Sequence, residues 1–267
     1  MKEVLSREQI SRDSIRDIWM KQVIIRLDYA GVADLNELIR IFDLRINRFA
    51  KRQEMYVNQL GFNIRAEDLK NISDTLSIPI EAIKKEKIWR YSELNVGQCS
   101  TTLDISQYFM CMTIDCQHNY DGITEYVKVF KEVMEIFTSN IKYLEPKRIG
   151  LRKARVQKLK TLDEVANIFE PYIFCMDIAH INSALTHDKF YKDIIVKKVD
   201  DSLYININRI IKSIDDETAF NTTLDLDAYT TNLDKKELSN IIDVANAYEF
   251  EVYKSCMTLN YLNTIIK

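Results

Sequence analysis

Glycine and proline are scarce, at 5 and 3 in 267 residues. That argues against a loop-rich β-sandwich and against long flexible linkers. No glycine-rich phosphate loop occurs anywhere, so P-loop and dinucleotide-binding readings fail. No apolar run approaches the ~18 residues of a membrane-spanning helix. The N-terminal stretch MKEVLSREQISRDSIRD is too charged for a signal peptide. The five cysteines (Cys99, Cys111, Cys116, Cys175, Cys256) are odd in number and lack C-x-x-C spacing, which points to reduced thiols in a cytoplasmic protein. An excess of one charge sign is missing too. With 37 Lys+Arg against 40 Asp+Glu, the net charge of −3 gives no general pull toward nucleic acid or an anionic membrane.

What is present is an ordinary globular composition, 46% hydrophobic and 29% charged. Its clearest segment is ITEYVKVFKEVMEIFTSNIKYLEPKRIGLR. Ile123, Tyr126, Val127, Phe130, Val133, Met134, Phe137 and Ile141 recur three and four apart, with Lys128, Lys131, Glu132 and Glu135 mostly between them, so an amphipathic helix is expected. Asp121-Gly122 is a turn signal before it, with Asp121 a candidate cap. Pro146 ends the helix. Beyond it, Ile149 and Leu151 alternate with Arg148, Gly150 and Arg152 as in a half-buried strand, where Gly150 marks a bulge or a close backbone approach.

Before this segment, residues 19–29 read as a strand, 34–50 as a helix, and 55–64, 87–94 and 101–116 as strand-rich. Residues 68–76 are ambiguous before Ser77-Ile78-Pro79. Residues 238–259 read as a second long helix, with Ile241, Ile242, Ala245, Tyr248, Val252, Cys256 and Leu259 facing inward. Thr101-Thr102-Leu103-Asp104-Ile105 has an echo in Thr222-Thr223-Leu224-Asp225-Leu226, 121 positions later, and residues 23–27 would match residues 148–152 at a similar offset. The expectation is an α+β protein of two similar halves, 1–145 and 146–267, each an antiparallel sheet closed by a long helix and related by internal duplication.

Three stretches carry a family resemblance: Lys21-Gln22-Val23-Ile24-Ile25-Arg26-Leu27-Asp28, Arg148-Ile149-Gly150-Leu151-Arg152, and Leu224-Asp225-Leu226-Asp227-Ala228-Tyr229 followed by a long helix. Together they resemble a sporadically distributed prokaryotic family without an assigned function. The family usually continues the second landmark with an aromatic, an aliphatic and Asn, where Lys153-Ala154-Arg155 stands here. The patchy distribution implies mobile or defence-linked loci, an association without a mechanism.

Several residue groups carry candidate chemistry. Asp225 and Asp227, two apart on a strand, point to one side, as a Mg²⁺-dependent nuclease needs. The favoured reading is a solvated strand face with Leu224 and Leu226 packed inward, because no third acid or lysine completes a catalytic spacing. Cys111, Cys116 and His118 lack the second ligand pair of a structural zinc site, and strand geometry sends the two thiols to opposite faces. His180 and His187 flank Ser183, but no nucleophile motif accompanies them. The sharpest feature is the basic run of residues 142–160, with Lys142, Lys147, Arg148, Arg152, Lys153, Arg155, Lys158 and Lys160 against the single acid Glu145. It either gathers phosphates or an acidic partner, or it lines the outer edge of a sheet. From Lys147 onward, interleaved aromatics of the kind single-strand binders use are missing from it.

The sequence therefore predicts a non-enzymatic cytoplasmic adaptor, antitoxin-like or chaperone-like, engaging another protein by β-augmentation or through its helices. Arg148, Arg152, Lys153 and Arg155 are the expected contacts. No cofactor, metal or membrane is implied, and a homodimer through the same surfaces is expected. The alternatives are a nucleic-acid binder using the basic run and a metal-dependent nuclease using Asp225 and Asp227.

Overall fold

In the computed structural model, residues 4–16, 19–60, 83–94, 96–117, 120, 122–173, 190–198, 203–213, 219–231, 233–235 and 237–267 are described. The strands are β1 (Met20–Ala30), β2 (Phe49–Leu60), β3 (Ile83–Leu94), β4 (Ser100–Ile105), β5 (Phe109–Asp115), β6 (Glu145–Leu159), β7 (Phe190–Lys198), β8 (Leu203–Ser213) and β9 (Phe220–Thr230). The helices are α1 (Leu35–Arg45), α2 (Thr124–Asn140), α3 (Leu162–Ile168), α4 (Leu238–Cys256) and α5 (Leu259–Thr264). The fold class is α+β, as the sequence predicts. Instead of one sheet per half, however, all nine strands join one sheet in the order β2-β3-β4-β5-β1-β6-β9-β8-β7, every pairing antiparallel.

The join is the β1–β6 pairing. Both strands alternate apolar and polar residues, so pairing them buries one apolar face against the same helix layer. Ile25 lies opposite Leu151 and Arg26 opposite Gly150. Val23, Ile25, Leu27 and Tyr29 of β1 are buried with Ile149 and Leu151 of β6, Met110, Met112 and Ile114 of β5, and Leu224, Leu226 and Ala228 of β9. Buried residues of all five described helices belong to this one core. The other face of the central strands belongs to a separate set of half-buried polar side chains.

The helices follow their sequence signals with two corrections. The Asp34 carboxylate accepts from the Asn36 amide at 2.8 Å and starts α1 where expected. That helix stops at Arg45 rather than continuing to residue 50, because Phe49 already pairs with Leu94 in the sheet and packs on Tyr91. Tertiary pairing overrides local helix preference there. α2 matches its expected span and buries Tyr126, Val127, Phe130, Val133, Met134 and Phe137. α4 ends at Cys256, and Thr258 caps the separate short helix α5. Residues 68–76 and Asp121 lie outside the described residues. Among the described residues, no helix is long and apolar enough to cross a membrane.

The two sequence echoes occupy unequal places. The TTLDI segment forms β4, one strand removed from β1, whereas TTLDL lies in β9, directly beside β6. In sheet position β9 corresponds to β5, not to β4. Matching residues 23–27 to 148–152 likewise sets inward Val23 against outward Arg148, so the true alternation is one residue out of step.

Candidate functional site: a charged ladder on the open sheet face

Side chains alternate faces along a strand, so the basic strand β6 divides its charges between two environments. Arg148 and Arg152 share parity with Gly150 and project onto the polar face. Lys153 and Arg155 share parity with Ile149 and Leu151 and enter the core. β6 is the central neighbour of β1 and β9 rather than a sheet edge, which corrects the reading of the basic run as an outer rim.

On the inward side, one carboxylate gathers three cations. Glu249 of α4 is fully buried, with Lys153 Nζ 2.9 Å from its Oε2, Arg155 Nη1 2.7 Å from its Oε1 and Arg12 Nη2 3.5 Å from Oε2. Lys153 also donates to Asn246 Oδ1 at 2.9 Å, and the Arg155 guanidinium stacks on Tyr253 at 4.1 Å. Burial by itself raises the Glu249 carboxyl, but Arg155, Lys153 and Arg12 together outweigh it and hold the pKa at about 2. Burial pushes Lys153 down to about 8, partly opposed by Glu249. Such clusters are costly to break but add little net stability over apolar packing. They fix how α4 sits on β6.

Neither half of this cluster was read from the sequence. The α4 stripe places Glu249 four residues after Ala245 and four before Tyr253, and extending the alternation of Ile149 and Leu151 by four residues turns Lys153 and Arg155 inward. The periodicity signal existed; the preference for an apolar inward residue at Tyr248 obscured it.

On the open side, a ladder of ion pairs crosses the sheet centre. Arg90 holds Asp104 with two hydrogen bonds (2.6 and 2.7 Å), and Arg26 Nε donates to Asp28 at 2.7 Å. Arg148 donates to Asp227 at 2.6 Å, and Arg152 holds Asp225, to which Asn208 donates as well. Aromatic rings lie between the charges: Arg26 over Phe109, Arg148 over Tyr229, and Tyr229 stacked on Tyr204, with centres 4.4, 4.4 and 5.5 Å apart. The fold thus brings aromatic neighbours from other strands to Arg26 and Arg148, while the one aromatic inside the basic run, Tyr143, lies beside Lys142. Asp227 is pushed upward by burial, with Arg148 opposing.

A pocket of about 300 Å³ opens in this ladder, lined by Ile24, Arg26, Asp28, Cys111, Arg148, Gly150, Arg152 and Asp227. Gly150 forms part of its lining for a packing reason. A Cβ there would lie 3.0 Å from Tyr229 Cβ and 3.3 Å from Asp227 Oδ1. The sequence expectation of a close approach at Gly150 is met by the β9 side chains; the register breaks in β1–β6 pairing lie elsewhere, near Lys21 and Lys147.

The remaining sequence candidates separate. Asp225 and Asp227 face one side together but are engaged by arginines, so neither forms the solvated strand face expected. Cys111 sits on the open face while Cys116 is buried on the helix side; Cys99, Cys111, Cys116 and Cys256 are thiols outside any disulfide. His118, His180, Ser183, His187 and Cys175 lie outside the described residues. Among the described residues, no group of three or more His, Cys, Asp or Glu side chains is arranged to hold a metal ion. No protein-family model matches the chain, and no curated protein matches it as a relative.

Proposed function

We propose that this chain is a non-enzymatic binding or adaptor protein whose open sheet face engages a protein partner. The observation that carries this reading is the ladder itself: Arg90, Arg26, Arg148 and Arg152 are each matched to an aspartate and interleaved with Phe109, Tyr229 and Tyr204. Fixed, charge-balanced and aromatic-rich, it supplies shape and polar specificity without a general attraction to polyanions. Arg148 and Arg152 are the contacts we assign from the basic strand. Lys153 and Arg155 serve the contact indirectly, by seating α4 beneath it. The β2 edge of the sheet is a weaker candidate surface, since it carries Lys51, Arg52 and Glu54 exposed, a pattern that discourages strand addition.

The same reading includes a cytoplasmic location and two similar halves arising by duplication, with β1 and β6 meeting near a pseudo-twofold. The family resemblance adds a role, antitoxin-like or chaperone-like, at a defence-linked or mobile locus. A homodimer through the same face is the partner of least complexity. The test is affinity capture from the native host at moderate salt, comparing wild type with Arg152→Glu. A stoichiometric protein retained by wild type and lost in the variant supports the reading; capture of nucleic acid that collapses at high salt replaces it.

The second reading, nucleic-acid binding, draws on the aromatic rings beside Arg26 and Arg148, which could stack bases. Against it, a row of phosphates would meet Asp28, Asp104, Asp225 and Asp227 on the same face. The nuclease reading is weaker, because Arg148 and Arg152 occupy the carboxylates a metal would need.

A further inference from the structure

The open-face pocket has more hydrogen-bond donors than acceptors. An arginine carries five N–H groups in a fixed fork and no acceptor. Arg26 gives only Nε to Asp28, Arg148 gives only Nη2 to Asp227, and Arg152 gives Nε and Nη2 to Asp225. Among the described residues, Nη1 and Nη2 of Arg26, Nε and Nη1 of Arg148 and Nη1 of Arg152 have no hydrogen-bond acceptor. Arg148 Nη1 lies 3.8 Å from Asp28 Oδ2, beyond hydrogen-bond distance. The Arg26 and Arg148 guanidinium planes are held by Phe109 and Tyr229, so their direction is set before anything binds.

We propose that this pocket captures the carboxylate of an acidic side chain presented by the partner protein, with Arg26 and Arg148 as the donors and Arg152 at the rim. The inference rests on the protein-binding reading and deepens it by naming the chemistry recognised. The Nη1/Nη2 end of Arg26 is an open fork that matches a carboxylate and gives two charge-assisted bonds at once, and Arg148 adds a single donor. Charge limits the occupant: Asp28, Asp225 and Asp227 already balance the three arginines, so no surplus positive charge holds a string of anions, and the open N–H groups bind one carboxylate by directed hydrogen bonds. Size agrees, since about 300 Å³ is at the lower end for ligand sites and suits one side chain rather than a nucleotide.

Cys111 lines the same pocket and supplies the readout, in a Cys175→Ser background, because Cys99, Cys116 and Cys256 are buried. The rate of Cys111 alkylation is measured with a ten-residue peptide carrying one central Glu, with the same peptide carrying Gln, and with a ten-nucleotide single strand. The Glu peptide is expected to slow alkylation at least fivefold at millimolar concentration. The Gln peptide and the oligonucleotide should leave the rate unchanged. Arg26→Gln should abolish the protection, and Arg26→Lys, which keeps the charge without the fork, should reduce it. Equal protection by the Gln peptide, stronger protection by the oligonucleotide, or none by the Glu peptide overturns the proposal. A partner captured from the host equally well by wild type and by Arg26→Gln overturns it too while leaving the adaptor reading standing; failure to capture any partner counts against the adaptor reading alone.

Discussion

Arg152 binds Asp225 rather than the residue directly opposite it. Its cross-strand neighbour is Asp227, yet Nε reaches Asp225 at 2.8 and 3.0 Å and Nη2 reaches it at 2.6 Å, while Arg148 takes Asp227. Arg152 leans diagonally by one same-face pair, as long side chains on a twisted sheet do, whereas Arg148, packed over Tyr229, reaches past Gly150 to the acid opposite Arg152. The two acids that look like a metal site in one dimension are therefore anchors for arginines in three.

Asp225→Ala leaves Arg152 and Asn208 without their acceptor. Stability is expected to fall by about 1–2 kcal/mol, the discount from a full charged pair reflecting the exposure of Arg152, as read from urea denaturation. Neither wild type nor the variant is expected to cleave single- or double-stranded substrates with Mg²⁺ or Mn²⁺. Divalent-dependent cleavage lost in Asp225→Ala would restore the nuclease reading.

The buried cluster separates two kinds of substitution. Glu249→Gln leaves Lys153 and Arg155 facing each other without a counter-charge and is expected to cost roughly 3–5 kcal/mol. Lys153→Met removes one of three cations from a carboxylate that keeps Arg155 and Arg12, so it is expected to be neutral or stabilising by up to about 2 kcal/mol. Equal losses in both variants would refute the asymmetry.

The same groups set opposite pH limbs. Glu249 is held near 2 in the folded protein, below its unfolded value of about 4.3, so its contribution is complete above the latter and is lost as pH falls toward 2. Lys153 sits near 8 when folded and about 10.4 when unfolded, so the unfolded chain binds its proton more tightly. This group alone makes stability rise between those pH values. Urea midpoints across pH are expected to lose the acid slope in Glu249→Gln and the alkaline rise in Lys153→Met.

Two glycines with positive φ give a control on backbone strain. At Gly31 (φ +86°) a Cβ would lie 1.9 Å from the Tyr143 carbonyl oxygen, so Gly31→Ala must displace the loop before β6. At Gly122 (φ +116°) a Cβ meets nothing within 4 Å. Gly31→Ala is expected to cost about 2–4 kcal/mol and Gly122→Ala about 1 kcal/mol by thermal unfolding.

Local sequence determined the elements whose signals repeat over many residues. α2 and β1 were legible because one stripe of side chains is apolar for the length of each. Gly150 was legible as a close approach because little else explains a glycine inside that strand. What only the tertiary structure decided was which strands meet. Pairing β1 with β6 made one sheet where two were expected, and made the basic strand central. That placement sent Lys153 and Arg155 to a carboxylate on a helix 94 residues away from Arg155, and set Arg26, from the opening strand, beside Arg148 and Arg152. Periodicity assigns a side chain to a face, but the partner across that face comes from distant chain, and its charge decides whether a buried cation is tolerated.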